Sequence, residues 1–219
     1  MLNKTIDHTL LKPTATEADI LNLCREAKQY DFMSVCVNPS HVTLAKEALN
    51  GSTVLVCTVI GFPLGANTTE TKVQEAMEAV CCGADELDMV INIGKAKAHD
   101  YLFVTNEIAQ IVAVGQGRIV KVIIETCFLT DEEKIELCHC AEVAGAHFVK
   151  TSTGFGSGGA TLHDVELMKA SIPSRMQVKA SGGVRTYEDA LTYIEHGATR
   201  IGTSGGVAIM NHNQSKEGY

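Results

Sequence analysis

The feature that most constrains this chain is a Gly-Ala pair that recurs where an amphipathic stretch gives way to a short apolar run. It stands at Gly83-Ala84, Gly145-Ala146 and Gly197-Ala198. Glycine at such a junction supplies the left-handed turn that ends a helix. Five residues after each glycine come Asp88, Lys150 and Gly202, and the same offset from Asp31 reaches Cys36. A constant offset from helix end to strand delivers different side chains to one level. In a ring of strands that level is a common rim.

The rest of the chain supports such a ring. Apolar, β-branched runs at Lys4–Thr9, Met33–Val37, Thr53–Gly61, Glu86–Ile91, Ile119–Thr126, Phe148–Ser152, Gln177–Ser181 and Thr199–Thr203 give eight strand candidates. Helix candidates lie between them near 17–30, 40–49, 69–82, 99–114, 131–144, 162–171 and 187–196, with a shorter one from Gly205. Thr16, Thr130, Thr161 and Thr186 each precede an acidic residue by three positions, the capping pattern of a helix start. Alternating strands and helices with nearly unbroken apolar strands imply a parallel sheet covered by helices. Eight units favour a closed (β/α)8 TIM barrel in a single domain spanning 1–210, followed by a polar tail at 211–219. An open doubly wound sheet is the alternative, weakened by the lack of a G-x-G-x-x-G or Walker loop after the first convincing strand.

Composition narrows the partners. The net charge of −8 disfavours a broad nucleic-acid surface. No apolar stretch approaches the ~18 residues of a membrane span, and Met1–His8 has no signal-peptide core. A cytoplasmic protein is expected. Eight cysteines without a C-x-x-C motif, with Cys138-His139-Cys140 at the wrong spacing for zinc, read as buried free thiols in a reducing compartment. No metal is expected.

The chemistry should sit at the C-terminal ends of the barrel strands. Asp88, Lys150 and Lys179 interrupt apolar runs there, and Lys121 and Glu125 share one parity in Ile119–Thr126. Two lysines facing each other across the rim depress one another's pKa. A neutral amine is a nucleophile toward a carbonyl, forming a Schiff base, and Asp88 is placed to move protons. A structural ion pair of Asp88 with either lysine is the competing reading. Ser181-Gly182-Gly183-Val184-Arg185 and Gly202-Thr203-Ser204-Gly205-Gly206 follow strands seven and eight, where barrels commonly bind phosphate.

Three stretches, Glu86-Leu87-Asp88-Met89-Val90, Lys150-Thr151-Ser152-Thr153-Gly154 and Lys179-Ala180-Ser181-Gly182-Gly183-Val184-Arg185, resemble the signatures of the deoxyribose-phosphate aldolases. Ile6-Asp7-His8-Thr9-Leu10-Leu11-Lys12-Pro13, Ser34-Val35-Cys36-Val37-Asn38-Pro39 and Lys121-Val122-Ile123-Ile124-Glu125-Thr126 extend the resemblance over residues 4–206. It implies a class I aldolase that cleaves 2-deoxy-D-ribose 5-phosphate to D-glyceraldehyde 3-phosphate and acetaldehyde. No cofactor is implied beyond the covalent imine. Lys150 would be the Schiff-base lysine, Lys179 the second lysine and Asp88 the proton relay. Gly182, Gly183, Val184, Arg185, Gly202, Ser204 and Gly205 would hold the phosphate, with Asp7, Thr9, Cys36 and Thr151 shaping the substrate pocket and Lys121 and Glu125 behind it. Phe155 stands where some members have a lysine near the phosphate. Tyr219, the last residue, matches a tail tyrosine that visits the site in some members. The partners implied are a small phosphosugar and, as a candidate, a second copy of the chain. Another sugar phosphate or keto acid as substrate, and a phosphosugar-sensing barrel without catalysis, remain open at this point.

Overall fold

The computed structural model describes residues 2–215. Eight strands run parallel and close into a barrel in chain order. They are β1 (Ile6–Leu10), β2 (Ser34–Val37), β3 (Leu55–Ile60), β4 (Glu86–Val90), β5 (Ile119–Ile123), β6 (Phe148–Lys150), β7 (Gln177–Ser181) and β8 (Ala198–Thr203). Closure is made by β1 on β8, with Asp7 opposite Gly202. Around them lie α1 (Glu17–Tyr30), α2 (Val42–Ala48), α3 (Thr69–Cys81), α4 (Ile93–Lys97), α5 (Tyr101–Val114), α6 (Asp131–Val143), α7 (Leu162–Ala170), α8 (Tyr187–Glu195) and α9 (Gly206–Met210).

The helix starts and stops follow the sequence chemistry. Thr16, Thr130 and Thr186 each form a full capping box with the acid three residues on, and Thr161 caps the Asp164 N–H alone. Gly83, Gly145 and Gly197 have φ of 101°, 81° and 111°, and Asp31 takes the same left-handed place at 52°. The short α4 has no counterpart among the expected helices. Two expected strands stop early. β5 ends at Ile123 because Glu125 adopts φ 56°, and β6 ends at Lys150, where the glycine-rich loop begins.

Outward-facing strand residues and the inner faces of the helices make the main core, with Ile6, Val35, Val56, Leu87, Val120 and Val178 all fully buried. Each such side chain contributes roughly 1.5–3 kcal/mol. Inside the barrel the filling is different. Asp7, Glu86, Asp88, Lys121, Lys150, Lys179 and Arg200 are all at most 5% exposed and all bonded to one another there. A charged interior costs desolvation that an aliphatic one avoids, so it holds only if its members are paired.

The chain beyond α9 turns back on the barrel. Asn211 hydrogen-bonds Tyr30, the His212 ring lies 4.1 Å from that of Tyr187, and the Ser215 N–H donates to the Arg185 carbonyl. Tyr219 lies outside the described residues. Among those residues no helix is long and apolar enough to cross a membrane.

Candidate active site

Asp88 is the hub of the interior. Its Oδ2 accepts from Lys150 Nζ at 2.7 Å and from Lys179 Nζ at 2.8 Å. Its Oδ1 accepts from Lys121 Nζ at 2.8 Å and lies 3.1 Å from Cys57 Sγ. Burial by itself would raise this carboxyl, but Lys121, Lys150 and Lys179 more than offset it and hold it well below the usual carboxylate range. A layer beneath completes the network. Asp7 accepts from Lys179 at 2.5 Å and from Arg200 at 2.6 Å, and Glu86 accepts from Lys121 and from both terminal nitrogens of Arg200. Asp7 is likewise held low, burial being outweighed by Lys179, Arg200 and Lys121.

The second lysine corrects one sequence expectation. Lys150 and Lys179 are lateral partners on neighbouring strands and do converge on one oxygen. Lys179 is nonetheless not depressed. Burial would lower it, yet Asp7 and Asp88 together raise it above the ordinary lysine value. Lys179 is therefore a fixed cation.

Above this layer the C-terminal loops open a cleft of about 230 Å³, lined by residues 154, 156–159, 182–185 and 202–204. Gly182 and Gly183 have φ of 85° and 86°. Gly159 and Gly182 must both be glycine, since a Cβ at Gly159 would lie 2.2 Å from the Gly182 carbonyl oxygen. This backbone contact ties the loop after β6 to the loop after β7. Glycine-rich loops of this kind can present N–H groups to an anion.

A match to a family model described as DeoC/LacD family aldolase covers residues 1–212. The chain is also 57% identical over 218 residues to the deoxyribose-phosphate aldolase of Streptococcus sanguinis, covering 100% of this chain and 99% of that one. The chain belongs to the DeoC/LacD family of aldolases. Its identity to the deoxyribose-phosphate aldolase of Carboxydothermus hydrogenoformans is 58%, covering 98% of this chain and 96% of the other. The fold agrees with the family. A solved structure described as the unique tetrameric structure of deoxyribose phosphate aldolase from Aeropyrum pernix superposes with a TM-score of 0.89 at 37% identity, over 96% of this chain and 89% of that one.

Within this family frame the residues singled out from the sequence fall into three groups. Lys150, Lys179, Asp88, Lys121 and Asp7 meet in the buried network. Gly182, Gly183, Val184, Arg185, Gly202 and Ser204 line the smaller cleft, whereas Gly205 lines a larger cavity of about 730 Å³ shared with Thr9 and Ser204. Thr9 donates to the Asp7 carbonyl oxygen, and Thr151 bonds the Ser181 backbone in both directions. Both hydroxyls thus brace the strands that carry the charges. Glu125 does not continue the Lys121 face; its carboxylate accepts from the Thr153 N–H and hydroxyl, and burial pushes its pKa up.

Glu86 and Arg200 were not anticipated. Glu86 shares parity with Asp88, and Arg200 is a lone cation in the apolar run of β8, which is the signal that could have found them. Cys36, Cys57 and Asp88 place ligand-type atoms within 4.8 Å of one another. Three lysine nitrogens already donate to Asp88, and the raised Lys121 and Lys179 fill the electrostatic role a cation would play there, so these residues do not fit a metal site.

Proposed function

We propose that the chain reversibly cleaves 2-deoxy-D-ribose 5-phosphate to D-glyceraldehyde 3-phosphate and acetaldehyde through an imine on Lys150, without a metal. The observation that carries this reading is the convergence of Lys150 and Lys179 on Asp88 Oδ2, in a buried network at the foot of a glycine-lined cleft. Relatives named deoxyribose-phosphate aldolase at 55–58% identity support it.

The pattern of partners supports Lys150 as the nucleophile. The contacts join four cations, Lys121, Lys150, Lys179 and Arg200, to three carboxylates, Asp7, Glu86 and Asp88. Lys150 has the fewest partners, a single carboxylate oxygen that it shares with Lys179, and so is the lysine least committed to the network.

The steps balance as follows. The Lys150 nitrogen adds to C1 of the open-chain sugar phosphate, and the carbinolamine loses water to give an iminium ion. The C3 hydroxyl gives up its proton toward Asp88, the C2–C3 electron pair moves to the iminium, and C3 becomes the aldehyde of glyceraldehyde 3-phosphate. The enamine is protonated at C2, and addition of water releases acetaldehyde and restores Lys150. With so many donors on it, Asp88 is a station for a proton in transit rather than a store. Lys179 helps keep Asp88 ionised and holds a positive charge beside the reacting amine. Gly182–Arg185 and Gly202–Ser204 hold the phosphate. Residues 1–210 act as one catalytic domain, and eight free cysteines are consistent with work in a reducing, cytoplasmic compartment. The test is product analysis: acetaldehyde and glyceraldehyde 3-phosphate should form in equal amounts from 2-deoxyribose 5-phosphate. Cleavage of another sugar phosphate or a keto acid, with no acetaldehyde released, would contradict the assignment.

A further inference from the structure

The barrel mouth is chemically divided. The β6–β8 side carries Lys150, Lys179 and the glycine-rich loops. The β1–β3 side carries Leu11, Cys36, Cys57 and Val59, an apolar cluster distinct from the main core, with Phe62 packed on it. All four are at most 4% exposed. The cluster begins beside the reacting groups: the Cys36 and Cys57 sulfurs lie within 4.8 Å of an Asp88 carboxylate oxygen. It continues round the mouth, because the Phe62 ring meets the Phe155 ring edge-on at 5.4 Å, and Phe155 follows Lys150 by five residues. Apart from its two thiols this cluster carries no hydrogen-bonding side chain, the polar Asp7 and Thr9 standing beside it on β1.

The substrate of the reaction proposed above is divided in the same way. Its hydroxyls and phosphate lie from C3 onward, C1 is bonded to Lys150, and C2 carries only hydrogen. With the phosphate end drawn to the loops after β7 and β8, C2 faces the remaining wall. Resting on that reading of the reaction, we infer that Leu11, Cys36, Val59 and Phe62 are specificity-determining residues that receive C2 and reject substrates bearing a hydroxyl there. A C2 hydroxyl pressed against this wall loses its water and finds no partner. Rejection of a hydroxyl by an apolar pocket is typically of the order of a hundredfold in kcat/KM.

Two near-isosteric variants, Val59→Thr and Cys36→Ser, place a hydroxyl in the wall. The measurement is kcat/KM for release of glyceraldehyde 3-phosphate from 2-deoxyribose 5-phosphate, ribose 5-phosphate and arabinose 5-phosphate, which together present either face of C2. Relative to the deoxy sugar, at least one hydroxylated epimer should gain about tenfold in at least one variant. Unchanged ratios for both epimers in both variants, with acetaldehyde still trapped on Lys150 by borohydride, would overturn the wall. Absence of that trapped adduct from the unsubstituted protein would instead overturn the aldolase reading itself, whatever the ratios.

Discussion

Lys150 and Lys179 donate to the same oxygen of Asp88, at 2.7 and 2.8 Å, and only Lys179 has a second carboxylate, Asp7. That asymmetry divides their labour. The lysine with two anionic partners is held charged, and the proposed covalent step falls to the one whose single partner is shared.

Removing the fixed charge should therefore do more than remove a contact. Lys179→Leu leaves Asp7 held by Arg200, the Ser34 hydroxyl and, at 3.8 Å, Lys121, and Asp88 held by Lys121 and Lys150. We expect kcat to fall about 100-fold or more, and the optimum of the pH–rate profile to move upward. A high rate with an unmoved optimum would show that the two lysines are not coupled.

The exposed Arg185 lies at the cleft, where the loop after β7 runs into α8. Arg185→Ala should raise KM for 2-deoxyribose 5-phosphate about tenfold, the usual size of one charge-assisted contact, with kcat little changed. Unphosphorylated 2-deoxyribose should be turned over as well as before. An equal loss with that sugar would argue against a phosphate contact.

Stability should depend on pH at both extremes. Asp7 and Asp88 are held below their ordinary values in the folded chain, so their contribution is present above the unfolded pKa of about 3.9 and is lost as pH falls below it. Lys121 and Lys179 are held above theirs, so their contribution is present below about 10.4 and lost as pH rises beyond it. Glu75 and Glu125, raised by burial, favour the acid side and partly offset the carboxylate loss. The urea midpoint should hold a plateau from about pH 5 to 9 and fall outside it. A midpoint that climbed as pH dropped below about 4 would contradict the paired network.

A second buried pair supports β4 from outside. Lys72 Nζ bonds Glu107 at 2.9 Å and the Val90 carbonyl at 2.8 Å, while Glu107 also accepts from the Asn92 N–H. Lys72→Met strands Glu107 as an unpaired buried charge and should cost about 3–5 kcal/mol. Adding Glu107→Gln, which keeps an acceptor for Asn92, should recover part of that loss in chemical denaturation. No recovery in the double variant would mean that the cost is one of packing.

The barrel and the meeting of Asp88 with Lys150 were legible because both follow from local rules. Thr caps start helices, left-handed Gly83 and Gly145 end them, and a fixed offset places Asp88 and Lys150 at one rim. The layer below was not legible. Arg200 bonds Asp7 across 193 residues and Glu86 across 114, contacts that exist only once β8 closes on β1. Without Asp7 as a partner, two adjacent lysines look mutually depressed; with it, Lys179 is raised. Glu125 was misplaced by a different cause, since alternation along a strand predicts nothing once φ turns positive at 56°.

The central claim, that Lys150 is the covalent centre, is tested most directly by treating the protein with acetaldehyde and borohydride and mapping the modified peptide. We expect one N-ethyl group, on Lys150, absent from a folded Lys150→Leu variant that is also inactive. A stable adduct on Lys179, or turnover by Lys150→Leu, would contradict it.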